Sequence, residues 1–156
     1  MTDRCNVVVA DDNRDAADSL VTILSAMGYR AVAAYDGLEA VEACATLEPD
    51  LAILDVQMPL MDGCSAARLI RAGAHPPGTI AALSGLRHWD EPMKSKGSVF
   101  DVRLAKPARM DQLGALLEKA VGAGGRVPRA ARLKLHVGFA QLPPALRYRA
   151  LRRRPA

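Results

Sequence analysis

Aromatic side chains are scarce in this chain, with two Phe, three Tyr and one Trp among 156 residues. A core has then to be filled with aliphatic groups, and the 50% apolar content is enough to supply them for one ordinary domain plus an appendage. Cysteine is sparse as well. Cys5, Cys44 and Cys64 are odd in number, widely spaced, and without a C-x-x-C pair or a neighbouring His, which argues against a disulfide framework or a zinc cluster and leaves buried free thiols as the expectation. His75, His88 and His136 have no ligand spacing, and Trp89 is expected to pack rather than to bind a base or cofactor. Long hydrophobic runs are missing too. The charge-free stretches are broken by Pro and Gly and fall short of a membrane span, and the N-terminus lacks a signal-peptide layout, so a cytoplasmic protein without a span is expected. No G-x-G-x-x-G follows the first apolar run and no P-loop occurs, which disfavours a dinucleotide or P-loop enzyme. Acid disappears altogether from residue 122 onward. Residues 122–156 carry nine Lys and Arg and no Asp or Glu, whereas residues 1–121 carry 12 Lys and Arg against 17 acids, a net −5.

What is present is an alternation of two periods. Val7-Val8-Val9-Ala10 is a β-branched run that stops at Asp11-Asp12-Asn13, as a buried parallel strand stops at a turn. Ala16, Leu20, Ile23, Leu24 and Met27 then recur at helical spacing between an Asn13 N-cap and a Gly28 stop. The pattern repeats through Ala31–Tyr35, a turn at Asp36-Gly37 and a helix from Leu38 to about Leu47. It continues with Leu51–Leu54 closed by Asp55, a helix near Ser65–Arg71, and the strand Thr79–Leu83 ending at Ser84-Gly85. A short helix near Glu91–Lys96, with Pro92 in its first turn and Gly97 near its end, precedes a fifth strand over Phe100–Leu104. A last helix carries Leu113, Leu116, Leu117, Ala120 and Val121 on one stripe. Strands that alternate with helices predict an α/β, doubly wound, five-stranded parallel sheet covered on both faces. In such a sheet the binding crevice lies beyond the carboxyl ends of the strands. Gly122–Pro128, rich in glycine, reads as a linker, so the domain is expected to span 4–121 and the basic tail 122–156.

The residues at those strand ends carry the chemistry. Asp11 and Asp12 follow the first strand, Asp55 the third, Ser84 the fourth and Lys106 the fifth. Crowded carboxylates repel by about 4 kcal/mol per pair at 4 Å and an effective dielectric near 20, so a divalent cation and Lys106 answer a physical need. Hard oxygen donors select Mg²⁺ rather than zinc. Asp55, ionised at neutral pH, could attack phosphorus without a general base and form an acyl phosphate. Ser84, Lys106 and the metal would then meet the charge on the phosphoryl oxygens.

Taken together, these residues resemble the receiver domain of two-component response regulators, over about residues 4 to 121. An acidic pair after the first strand, Asp55-Val-Gln-Met58-Pro59-Leu-Met-Asp62-Gly63, Ser84 and Lys106-Pro107 follow that family's pattern in order. Each signal is weak singly, and five in sequence at strand ends are specific. The resemblance implies a flavodoxin-like fold of five βα repeats and Asp55 as phosphoacceptor. It also implies Mg²⁺ held by Asp11, Asp12, Asp55 and the main-chain carbonyl of Gln57, phosphoryl-oxygen contacts from Ser84 and Lys106, and a cis peptide before Pro107. It further implies a phosphorelay switch rather than an enzyme acting on a separate substrate, with a sensor histidine kinase or histidine phosphotransfer protein as donor.

One position departs from the family. Three residues before the lysine, where receivers carry Tyr, Phe or His as a side chain that swings inward on activation, stands Arg103, whose charge does not suit an apolar pocket. The basic tail is too short for a helix-turn-helix core, so a disordered or loosely docked tail is expected. The rival reading is a degenerate receiver serving as a protein-interaction or nucleic-acid module through that Arg-rich end. A haloacid-dehalogenase-like phosphatase is disfavoured because Gln57 stands where it needs a second acid.

Overall fold

The computed structural model describes residues 5–85 and 99–122. The expected helix near Glu91–Lys96, Trp89, His88, His136 and the basic tail beyond Gly122 lie outside the described residues. Along the chain come β1 (Asn6–Ala10), α1 (Arg14–Ala26), β2 (Arg30–Ala34), α2 (Gly37–Leu47) and β3 (Leu51–Asp55). They are followed by α3 (Gly63–Arg71), β4 (Thr79–Ser84), β5 (Val102–Ala105) and α4 (Met110–Gly122). The strands form one sheet in the order β2-β1-β3-β4-β5, and every pairing is parallel. This is the flavodoxin-like arrangement.

Burial explains why these runs are strands. Every residue of β3 and β4 is buried, as is β1 from Val7 onward, the pattern of a sheet covered on both sides. Alternate residues serve opposite faces. Val7, Val9, Leu51, Ile53, Ala81, Leu83 and Leu104 pack with α1 and α4, whereas Val8, Ala10, Ala52, Leu54, Ile80 and Ala82 pack with α2 and α3. A slip of one residue would exchange these two sets, so the register is pinned by the core.

Side-chain caps set the helix starts. Asn13, Asp36 and Asp62 each accept a hydrogen bond from the backbone N–H three residues on, in Ala16, Glu39 and Ser65. Glu39 reaches back to the Tyr35 N–H at 2.9 Å. Gly28, with φ 92, turns the chain out of α1 as expected.

Most element bounds shift by one or two residues from expectation, and the differences at α1 and β5 have a physical reason. The inner stripe of α1 runs through Ala17, Leu20 and Leu24, while Ala16 and Ile23 face outward, a rotation of one position that small residues leave unspecified in sequence. β5 begins at Val102 rather than Phe100. Asp101 meets the edge of β4 with its own N–H to the Ile80 carbonyl and its carboxylate to the Ile80 N–H, and ladder pairing starts only after it.

Candidate phosphoacceptor and metal site

β1 and β3 are neighbours in space while their following helices go to opposite faces, so the chain parts between them and opens a crevice at their carboxyl ends. Asp11 and Asp12 leave β1 there, and Asp55 ends β3. One ligand oxygen from each of Asp11, Asp12 and Asp55 lies within 4.8 Å of the others. Asp11 and Asp55 are buried, and Asp12 is exposed. The exposed member leaves the cluster open to solvent.

Lys106 is placed by the end of β5, where its N–H donates to the Ser84 carbonyl at 2.8 Å. Its Nζ lies 2.9 Å from Asp11 Oδ2 and 2.9 Å from Asp55 Oδ2. The peptide bond between Lys106 and Pro107 is cis, as the family resemblance implies. Each carboxylate has a second anchor, because Asp11 Oδ1 accepts from the Asn13 N–H at 2.9 Å and Asp55 Oδ1 from the Gln57 N–H at 3.1 Å.

These contacts set opposing pressures on charge. Burial pushes the Asp55 carboxyl above its ordinary range, and the Asp11 charge adds to this, against the lowering by the Lys106 ammonium and the Gln57 N–H. Lys106 is itself desolvated, which lowers its pKa, but its bonds to Asp11 and Asp55 outweigh that and hold it above the usual value. The site favours a cation among its carboxylates.

Ser84 ends β4 beside Asp55, one residue beyond the Asp55–Leu83 pair, and is buried; its hydroxyl donates to the Gly85 carbonyl at 3.1 Å. Gln57 is exposed in the loop after β3. Arg103 is half-buried on β5, away from the acidic cluster in the ladder, opposite Ala82.

Two features of the structure were not evident from the motif alone. The first is the reason for Asp62-Gly63: a Cβ on Gly63 would sit 2.2 Å from the Asp55 carbonyl oxygen and 2.9 Å from the Val56 Cα, so α3 starts in direct contact with the end of β3. Gly63 N–H donates to the Val56 carbonyl at 2.9 Å and fixes that seat. The second is a clamp at the opposite end of the sheet, where Arg71 binds the Val99 carbonyl and the Asp101 carboxylate, the latter at 2.6 Å. Asp101 in turn holds the Ile80 N–H at 2.8 Å. Separations of 21 to 30 residues give such a clamp no sequence signature.

A fold of this topology with an acid cluster and a lysine at the switch point defines a receiver. A sequence model of the response regulator receiver domain matches residues 7–118, and the chain belongs to that family, whose members are phosphoacceptor regulatory domains. Among curated proteins it is similar to the response regulator MprA of Mycobacterium ulcerans (strain Agy99), 35% identical over 108 residues. It is 34% identical over 107 residues to MprA of Mycobacterium tuberculosis (strain ATCC 25618 / H37Rv). Both alignments cover 69% of this chain and 46% of the relative, so the chain spans about half the length of the curated relatives it matches. Among solved structures, the receiver domain of the Francisella response regulator 1452 superposes with TM-score 0.65 at 27% identity, covering 76% of this chain and 98% of that one. The receiver domain of the sensor histidine kinase PA1611 from Pseudomonas aeruginosa PAO1, solved with a magnesium ion in its active-site cleft, gives TM-score 0.67 at 25% identity, again over 76% and 98%. Among the described residues no helix is long and apolar enough to cross a membrane.

Proposed function

We propose that the protein is a phosphorylation-dependent signalling switch in which Asp55 accepts a phosphoryl group from a phosphohistidine of a sensor histidine kinase or histidine phosphotransfer protein. The observation that carries this reading is the cluster of Asp11, Asp12 and Asp55 with Lys106 bridging two of them. The donor set is all oxygen, partly open to water and short of positive charge, which fits Mg²⁺ rather than a softer metal. Asp11, Asp12, Asp55 and the Gln57 carbonyl would hold the ion, which supplies charge neutralisation of the transferring phosphoryl group.

In the transfer, a carboxylate oxygen of Asp55 attacks phosphorus, the phosphorus–nitrogen bond to the donor ring breaks, and the ring, already protonated on its other nitrogen, leaves as neutral imidazole. Lys106 and the Ser84 hydroxyl meet the phosphoryl oxygens, the latter after turning from the Gly85 carbonyl it now bonds. The Gln57 N–H keeps the second oxygen of Asp55 oriented. The receiver unit ends near residue 121, the basic stretch 122–156 is an appendage to it, and the setting is cytoplasmic, where such donors act.

Intact mass measurement of the full chain, incubated with phosphoramidate and Mg²⁺, tests the assignment. One phosphoryl group is expected on the wild type and none on Asp55→Asn or in EDTA. Undiminished uptake by Asp55→Asn would remove Asp55 from the role.

A further inference from the structure

Five large apolar side chains are exposed among the described residues: Ile23, Leu38, Leu60, Leu69 and Met110. Ile23 and Leu69 lie well along α1 and α3. The other three stand where the chain leaves the carboxyl ends of the strands, Leu60 in the loop after β3, Leu38 as the second residue of α2 and Met110 as the first of α4. That end of the sheet carries the crevice with Asp55, and apolar groups left in water beside such a crevice point to a protein contact.

Leu60 is the most exposed of them, at 86%, and its backbone is strained. The Met61 N–H donates to the Pro59 carbonyl at 2.7 Å, closing a three-residue turn with Leu60 at its centre and φ 67. In that region a leucine Cβ crowds the following carbonyl, whereas glycine and asparagine adopt it more readily. Stability alone would favour either of those two residues here. A leucine instead holds an apolar side chain out in water at a cost to the fold, which is the mark of a position kept for contact.

The loop is tied to the acid at both ends. It leaves β3 at Asp55 and returns at Gly63, whose Cα packs on the Asp55 carbonyl and whose N–H donates to the Val56 carbonyl at 2.9 Å. Met58 is buried beneath it, and Met61 packs against Gly37 at the start of α2, next to Leu38. Leu60 precedes Gly63 by three residues, so its backbone is at most about 11 Å from a residue in contact with Asp55. A protein contact of ordinary size covers about 800 Å² on each partner, a disc of about 16 Å radius. A donor protein whose phosphohistidine reaches the buried Asp55 carboxylate therefore spreads over the loop tip as well.

We propose that Leu60 is a specificity-determining residue for phosphotransfer, an apolar contact that the protein donor of the phosphoryl group covers, with Leu38 beside it. This rests on Asp55 being the acceptor of a phosphoryl group from a phosphohistidine protein. The matching donor surface carries an apolar hollow next to its phosphohistidine. A small donor such as phosphoramidate reaches Asp55 without engaging the loop tip.

Two donors separate docking from chemistry. The full chain, with Mg²⁺, is loaded either by phosphoramidate or by an autophosphorylated histidine kinase of the same genome, taken as the one that loads the wild type fastest. Leu60→Asn is expected to slow loading by the kinase about tenfold through KM, as loss of one covered leucine would, while phosphoramidate uptake stays within about twofold of the wild type. Its Tm should be unchanged or raised, because asparagine relieves the strained turn. Leu60→Met, which keeps an apolar side chain, is expected to stay within about threefold of the wild type with the kinase. Equal loading of wild type and Leu60→Asn by the kinase overturns the proposal, and is the result expected if a downstream target or a second copy of the chain covers Leu60 instead. An equal fall with both donors also overturns it, since the defect would then lie in the acid site and not in docking. Failure of the wild type to take a phosphoryl group from phosphoramidate would instead strike the phosphoacceptor assignment itself.

Discussion

Replacing Lys106 by alanine removes an ammonium that touches both buried carboxylates, each at 2.9 Å. Breaking a fully buried pair costs about 3–5 kcal/mol because a charge is left uncompensated. The Lys106 side chain is 33% exposed, so water screens part of this and about 2 kcal/mol is the expected loss in metal-free buffer. For a domain of this size that lowers Tm by roughly 8 °C. Mg²⁺ should act in the opposite sense on the variant. Lys106 and a dication compete for the same oxygens, so its removal is expected to tighten Mg²⁺ binding by about tenfold or more and to return much of the lost stability. Thermal unfolding of wild type and Lys106→Ala in EDTA and across a Mg²⁺ series measures both effects. An unchanged Tm in EDTA together with unchanged or weaker Mg²⁺ binding would refute the view that the lysine and the metal answer one electrostatic need.

Gly63→Ala places a methyl group within 2.2 Å of a backbone oxygen that cannot rotate away, so α3 must shift from β3. A loss of roughly 2–3 kcal/mol in urea unfolding is expected, with weakened Mg²⁺ binding because the Asp55 backbone moves, and wild-type stability would contradict the contact. Burial pushes the Cys5 and Cys44 thiols up to about 12 from an ordinary 9.0, with Asp50 adding to the rise at Cys5. The native state therefore keeps protons that the unfolded chain gives up. Stability from this source is complete below pH 9 and declines as pH rises toward 12, by up to about 1.4 kcal/mol per pH unit per thiol. In Cys44→Ala the fall of unfolding free energy between pH 9 and 11 should be shallower, and an unaltered slope would show that the thiol is not the source.

Legibility of the fold in the sequence followed burial. Strands β3 and β4, buried at every position, stand out as uninterrupted apolar runs, and their polar terminators Asp55 and Ser84 mark the crevice. The inner face of α1 was less readable, since Ala16 and Ala17 are chemically alike and only packing decides between them. Asp11, Asp12, Asp55 and Lys106 could be named from their places at strand ends, and the structure brings these four together. Ser84 is beside them in the sheet, although its hydroxyl is engaged with its own chain. The Arg71–Asp101–Ile80 clamp was invisible because it joins two ordinary charged residues to a backbone N–H across 21 to 30 positions of sequence. Asp36 and Glu39 are a different case, as the spacing of an N-cap acid and a glutamate three residues later is a readable capping signal.

The seating of α3 on the Asp55 carbonyl has a mechanical meaning. A helix that begins in direct contact with the Asp55 carbonyl is coupled to any movement of that residue. A displacement of a few tenths of an ångström in that carbonyl has no slack to dissipate into, because the glycine leaves no side chain to yield and its N–H is tethered to Val56. The far end of α3 is held as well, where Arg71 binds the Val99 carbonyl and the Asp101 carboxylate at the entry to β5, so the helix is anchored to the sheet at both ends.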